Sequence, residues 1–208
     1  MYMPAAFVEE RPEVVAAFLA EHSMAHLVTL TDDGLLATPL PMLYEQGTDE
    51  LGSLVGHVAR ANRHWAAASP TVEALAIFTG ANAYVSPNWY PSKAEHGKAV
   101  PTWAYETVHV RGHFVVHDEV EWKRALVTRL TDRHESRFAE PWAVTDAPPD
   151  YIDAMLKAIV GIEVRITSIQ AKRKLNQSRS EPDIAGTIAG LTELGGESAL
   201  VADAIRSL

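Results

Sequence analysis

The turn Asp32-Asp33-Gly34, set between two apolar runs at 25–31 and 35–44, constrains this chain more than any other feature. Its glycine supplies the positive-φ position of a tight hairpin, so the two runs are expected to pair as antiparallel neighbours. Pro39 and Pro41 lie in the second run. Each removes a ladder donor, so that strand is expected at an edge, bulged, or with backbone facing a ligand. Further strands are predicted at 52–58, 72–79, 108–117 and 161–169, with Gly112 as a bend in the third of these. Helices are predicted at 13–22, in a short segment capped by Asn62 and running through 65–68, from 118 to about 133, and at 151–159. Asp118 with Glu121 resembles a capping box for the third helix. Helices inserted singly among strands argue against a doubly wound parallel sheet. They favour an α+β, mainly β class: a small antiparallel barrel decorated with helices. The last stretch, 183–208, reads as two short helices broken at Gly195-Gly196.

The chain has 208 residues, enough for one substantial core without staples, and its 47% hydrophobic and 22% charged content is that of an ordinary globular domain. It contains no cysteine, which excludes disulfides, thiolate metal sites and a cysteine nucleophile. No signal peptide or membrane span is expected, because residues 1–10 are acidic and no apolar run approaches the roughly 20 residues that a spanning helix needs. A soluble, cytoplasmic protein is the expectation. The net charge of −9 disfavours general attraction to nucleic-acid phosphates, so DNA binding would require a local basic patch.

Three segments carry candidate chemistry. Residues 83–105 crowd Tyr84, Trp89, Tyr90, Trp103 and Tyr105 around two Pro-x-Trp units. Rings on so stiff a backbone either fill a core or hold a flat ligand or subunit interface. The run Gly56-His57-Val58-Ala59-Arg60-Ala61-Asn62 passes from a strand to a helix start. It is either an ordinary capped helix or a phosphate site using free N–H groups, Arg60, His57 and Asn62. It lacks the glycines of a nucleoside triphosphate loop or a dinucleotide fingerprint. Lys172-Arg173-Lys174-Leu175-Asn176-Gln177-Ser178-Arg179 is the one concentrated basic run, either a solvated face or a surface for a phosphorylated ligand, a partner subunit or nucleic acid.

Other signals are weaker. His109, His113 and His117 share one face of a strand, but neighbours stand roughly 13 Å apart at about 3.3 Å per residue, too far to share a metal ion. A helix-turn-helix at the C-terminal end is disfavoured, since residues 197–208 offer Arg206 as their only basic side chain. No nucleophile or acid–base constellation stands out, so any enzymatic chemistry would come from a bound cofactor.

Several motifs in order are similar to the PaiB family, FMN-binding negative transcriptional regulators within the flavin split-barrel superfamily that includes pyridoxamine phosphate oxidases. These are Met1-Tyr2-Met3-Pro4-Ala5-Ala6-Phe7, the run from Gly56 to Asn62 with Trp65, residues 83–90 with 100–105 and His109, and Lys174-Leu175-Asn176-Gln177. Ala104 stands where the family is expected to carry asparagine. The resemblance implies a six-stranded antiparallel split barrel with surrounding helices over 1–180, a C-terminal helical tail over 181–208, and a homodimer with FMN between subunits. It places Thr38, Pro39, Leu40 and Pro41 against the flavin ring and His57, Arg60 and Asn62 at the phosphate. Lys174 and Gln177 approach from the closing strand, and Trp103 walls the pocket or the dimer seam. The implied function is an FMN-binding negative regulator acting through DNA or a partner protein and sensing flavin or an unidentified small molecule. The alternatives are an FMN-dependent oxidoreductase on a small planar substrate, or a dimeric binding protein without flavin affinity.

Overall fold

The computed structural model describes residues 1–46 and 51–208. Seven strands, β1 (Val8–Glu9), β2 (Met24–Thr31), β3 (Gly34–Glu45), β4 (Ser53–Ala59), β5 (Ala74–Val85), β6 (Thr102–His117) and β7 (Ile159–Lys174), form one sheet in the order β1-β7-β4-β3-β2-β5-β6. An additional pairing of β6 with β7 closes six of these strands into a hydrogen-bonded ring, with β1 attached outside it along β7. The registers of β2–β3, β2–β5, β3–β4, β4–β7 and β1–β7 are all antiparallel. The mainly β, antiparallel class with flanking helices is therefore as expected. The β2–β3 hairpin turns at Gly34 with φ of 110°, and Thr31 Oγ1 donates to the Gly34 carbonyl. Strands β5 and β6 are much longer than predicted and extend into the aromatic segment, because alternating buried residues such as Ala83, Val85, Ala104 and Val108 continue the strand period through it.

The chain divides into two compact units. The first comprises Leu19–Phe78 and His109–Ile169. It holds β2, β3, β4 and the helices α2 (His64–Ala67), α4 (Val120–Glu135) and α5 (Pro149–Lys157). Leu27, Leu40, Met42, Leu54 and Ile162 are among its buried apolar side chains, each contributing about 1.5–3 kcal/mol by leaving water. Leu126 and Leu130 of α4 pack on Val55, with Leu43 and Trp122 at the margin, so α4 covers one part of the outer face of β3 and β4. Gly112 is a close approach rather than a bend in solvent: a Cβ there would stand 2.1 Å from the Arg165 carbonyl oxygen. Asp118 does not cap α4: the N-cap residue is Glu119, whose side chain makes no cap hydrogen bond. The Asp118 carboxylate is held by Arg60 and Lys123 instead, two cations that outbid a backbone amide for it.

The second unit comprises Met1–Phe18, Thr79–Val108 and Gln170–Leu208. Its core joins Ala83, Val85, Tyr90, Ala104, Leu175, Leu191, Val201, Ala202 and Ile205. Ala104 is fully buried there, where an asparagine amide would need new partners. Helices α6 (Glu181–Leu194) and α7 (Gly196–Arg206) meet at the predicted glycine break and pack on each other. Residues 92–98 include the short helix α3 (Ser92–His96), ended by Gly97 with φ of 69°.

Candidate cofactor site

The residues of the β2–β3–β4 face come from alternation along the strands. On β3, Thr38, Leu40 and Met42 share the inward face, whereas Ala37, Pro39 and Pro41 are exposed on the other. Residues 38–41 therefore present two side chains to each face, and only Pro39 and Pro41 stand outward. Their cross-strand partners are His26 and Met24, and the same outer face continues through the pairs Ala37–Val28 and Leu35–Leu30. Met24, Leu30 and Leu35 are exposed, so this hairpin carries an apolar surface on its outer side. Met42 pairs with Gly56, and one step further in the same antiparallel register His57 falls across from Pro41 on the outer face.

His57 Nδ1 is buried and has no hydrogen-bond partner among the described residues. Burial pushes the His57 imidazole below the ordinary histidine range, so the ring is neutral near pH 7. A neutral imidazole offers one donor and one acceptor, and one of them here awaits a partner.

Arg60, beyond the end of β4, is differently placed. Its guanidinium forms a two-pronged ion pair with Asp118, and it also donates to the Lys157 and Ile159 carbonyls, from Nε at 2.8 Å and from Nη2 at 3.2 Å. Asp118 is held well below the usual carboxylate range, chiefly by the hydrogen bond from Arg60 and then by Lys123. Lys123 is only 2% exposed and bonds Asp118 at 2.8 Å. Arg60 is thus a structural tie as well as a cation near the turn.

Asn62 stands one residue before Arg63, the N-cap of α2, rather than at the cap as expected; its Oδ1 still accepts from the His64 backbone N–H at 3.1 Å, and its Nδ2 reaches Thr38 Oγ1 at 3.4 Å. His64 itself was not signalled by the sequence reading. It is 1% exposed, with Nδ1 2.7 Å from Thr38 Oγ1 and Nε2 2.7 Å from Thr29 Oγ1. The available signal was a histidine two residues after an asparagine at the entry to a short helix.

The remaining expected residues belong to the other unit. Trp103 is 49% exposed, donates from Nε1 to Asn82 Oδ1 at 3.2 Å, and meets the equally exposed Tyr84 edge to face. Lys174 donates to Thr102 Oγ1 and to the Trp103 carbonyl. Gln177 is engaged locally, accepting from the Leu175 N–H and donating to the Arg173 carbonyl. The basic run is not a solvated face. Lys172 is buried over the Tyr2 and Tyr105 rings, Arg173 pairs with the buried Glu106 at 2.6 Å, and Arg179 lies over Tyr90. The structure thus links Thr38 with Asn62, and Pro41 with His57, in one unit, and Trp103 with Lys174 in the other.

A family described as "Putative FMN-binding domain" matches residues 1–168. The chain belongs to this family. FMN is accordingly its cofactor, and the unpartnered His57 Nδ1 beside the exposed prolines fits a polar, flat group. The protease synthase and sporulation protein PAI 2 of Bacillus subtilis is 30% identical over 92% of this chain and 89% of its own length. An uncharacterized protein of Aspergillus fumigatus is 34% identical over 70% of this chain and 68% of its own. Among solved structures, the conserved hypothetical protein Rv2991 of Mycobacterium tuberculosis has a TM-score of 0.61 at 12% identity, covering 87% of this chain and 95% of that one. The FAD and heme binding protein of Mycobacterium smegmatis has a TM-score of 0.57 at 19% identity, covering 85% and 78%. At such identities these two structures establish a shared fold, the flavin split barrel expected from the sequence. No described helix is long and apolar enough to cross a membrane.

Proposed function

We propose that the protein is an FMN-binding negative regulator of transcription that works as a homodimer. The observation that carries this reading is the outer face of β3 and β4. There, two prolines leave the strand without ladder donors, an apolar surface continues onto β2, and a neutral, half-buried imidazole has a buried, unmatched nitrogen. Such a face suits the flat isoalloxazine ring, with the backbone of Thr38, Pro39, Leu40 and Pro41 alongside it and His57, Arg60 and Asn62 toward the phosphate. For Trp103, Lys174 and Gln177 the proposed role is contact with the flavin or with the second copy. The exposed Met24, Leu30 and Leu35 support burial against that second copy. When bound, FMN supplies reversible electron transfer, while the chain's own residues bind it, orient it and exclude water.

Regulation through a partner protein or a small ligand is favoured over direct DNA contact. The net charge is −9, and the basic run is largely engaged within its own unit. Denaturing the purified protein is expected to release flavin fluorescence, and added FMN is expected to raise the melting temperature, by about 2.7 kcal/mol of stabilisation at one hundred times Kd. Absence of both effects contradicts the reading. Binding to promoter DNA that falls steeply with salt would restore direct repression.

A further inference from the structure

A cavity of about 270 Å³ opens between the C-terminal end of α1 (Pro12–Glu21), the end of β3 and the second half of α4. Its lining residues all belong to the unit that holds β2, β3 and β4. The strands explain its position. The Met42 N–H donates to the Ser23 carbonyl at 2.8 Å, so the chain leaving α1 is fastened to β3, and Leu19 and Ala20 line the cavity together with Leu43 and Glu45. On α4, Leu126 and Leu130 pack against Val55 and Leu43, while Arg129 and Arg133, one turn apart, both line the cavity.

The walls differ in chemistry. Leu19, only 1% exposed, and Leu43 supply an apolar surface. Arg129 Nε donates to Glu45 Oε1 at 2.6 Å, so these two charges offset each other. Arg133 has no carboxylate partner among the described residues, and the one hydrogen bond of its guanidinium runs from Nη2 to the Ala20 carbonyl at 2.8 Å. That bond satisfies a carbonyl in the last turn of α1 and steadies the guanidinium, leaving further N–H groups for a second acceptor. The cavity thus carries one unmatched positive charge in a chain of net charge −9. A single unmatched cation suits a monoanion better than a phosphate dianion, and the guanidinium fork matches a planar carboxylate. Size narrows the ligand further. About 150 Å³ is enough for benzene, and sites for drug-sized ligands take roughly 300–1,000 Å³. The cavity therefore fits one ring or a branched chain of similar bulk.

We propose that this cavity binds a small carboxylic acid with an apolar body, its carboxylate on Arg133 and its body on Leu19 and Leu43. The site is separate from the proposed flavin face, and the inference does not rest on FMN binding.

The test is a titration of the full chain with benzoate, followed through the methyl resonances of labelled leucine. Saturable shifts centred on Leu19 and Leu43 are expected. Benzyl alcohol, similar in shape but uncharged, is expected to bind at least about tenfold more weakly, the scale of a charge-assisted hydrogen bond. Arg133→Gln is expected to lower benzoate affinity by about the same factor and to leave benzyl alcohol unchanged. Ala20→Trp, which sets a ring into the cavity from the opposite wall, is expected to abolish the shifts. Both positions are exposed, so neither substitution is expected to unfold the chain. No saturable shift with benzoate, equal binding of benzyl alcohol, or benzoate binding that survives either substitution unchanged overturns the proposal. FMN titration of the same samples decides the functional reading separately.

Discussion

The two aromatic and basic segments that stand out in the sequence, 83–105 and 172–179, contrast with the plainer hairpin face of β2, β3 and β4. In the first region nearly every donor and ring is engaged internally. Asp183 accepts from the Ser92 backbone and hydroxyl, Asn176 donates to Tyr90 and Thr187, and Trp89 lies in the groove that Gly186 and Gly190 open on α6. On the hairpin face, prolines are exposed, apolar side chains lack cover, and His57 Nδ1 has no partner among the described residues. A conspicuous residue type therefore marked a structural clamp, and unmatched capacity marked the candidate site. The two C-terminal helices pack against the aromatic segment.

The largest expected effect breaks the clamp at its buried ion pair. Glu106→Ala leaves the largely buried Arg173 with only the more distant Glu9 carboxylate, 3.7 Å away, and is expected to cost about 3 kcal/mol in chemical denaturation, with little change in the hairpin's exposed face. Gly190→Val follows. A Cβ at Gly190 would stand 2.3 Å from the Trp89 ring, and the overpacking is expected to cost about 1–3 kcal/mol, read as a melting temperature lower by about 2–4 °C per kcal/mol.

The contrast sharpens on the ligand side with Arg60→Ala, expected to weaken FMN binding about tenfold and riboflavin less, because only FMN carries the phosphate. Equal losses for both ligands would assign Arg60 to its tie with Asp118 alone. The smallest effect concerns pH. Hydrogen bonds from Arg11 lower Glu9 to about 2. A depressed carboxyl contributes stability that is present above its unfolded value and is lost as pH falls through the folded one. Denaturation between pH 4.5 and 2 should therefore be less steep in Glu9→Gln than in the unaltered protein.

Much of the fold was legible. Asp32-Asp33-Gly34 specified the hairpin through local turn chemistry, and the prolines marked β3 as a strand with missing donors. The extension of β5 and β6 was not legible, because Pro87, Pro91 and Pro101 punctuate the segment while the burial that continues each strand is supplied by residues far along the chain, such as Leu175 and Leu191. Among the proposed site residues, His57 and Asn62 were singled out by their place at a strand-to-helix passage. The engagement of Arg60 was not, since Asp118 lies 58 residues away and reads as a helix cap in isolation. His64 was missed for a related reason: its partners Thr29 and Thr38 lie on two strands that only the folded sheet brings together.

The most direct measurement is an FMN titration of the purified protein beside His57→Leu, followed by flavin fluorescence. The account predicts that the unaltered protein binds FMN and that His57→Leu, with its fold intact by circular dichroism, binds at least several-fold more weakly. Equal binding by the two proteins, or no binding by the unaltered one, would contradict the assignment of the β3–β4 face as the cofactor site.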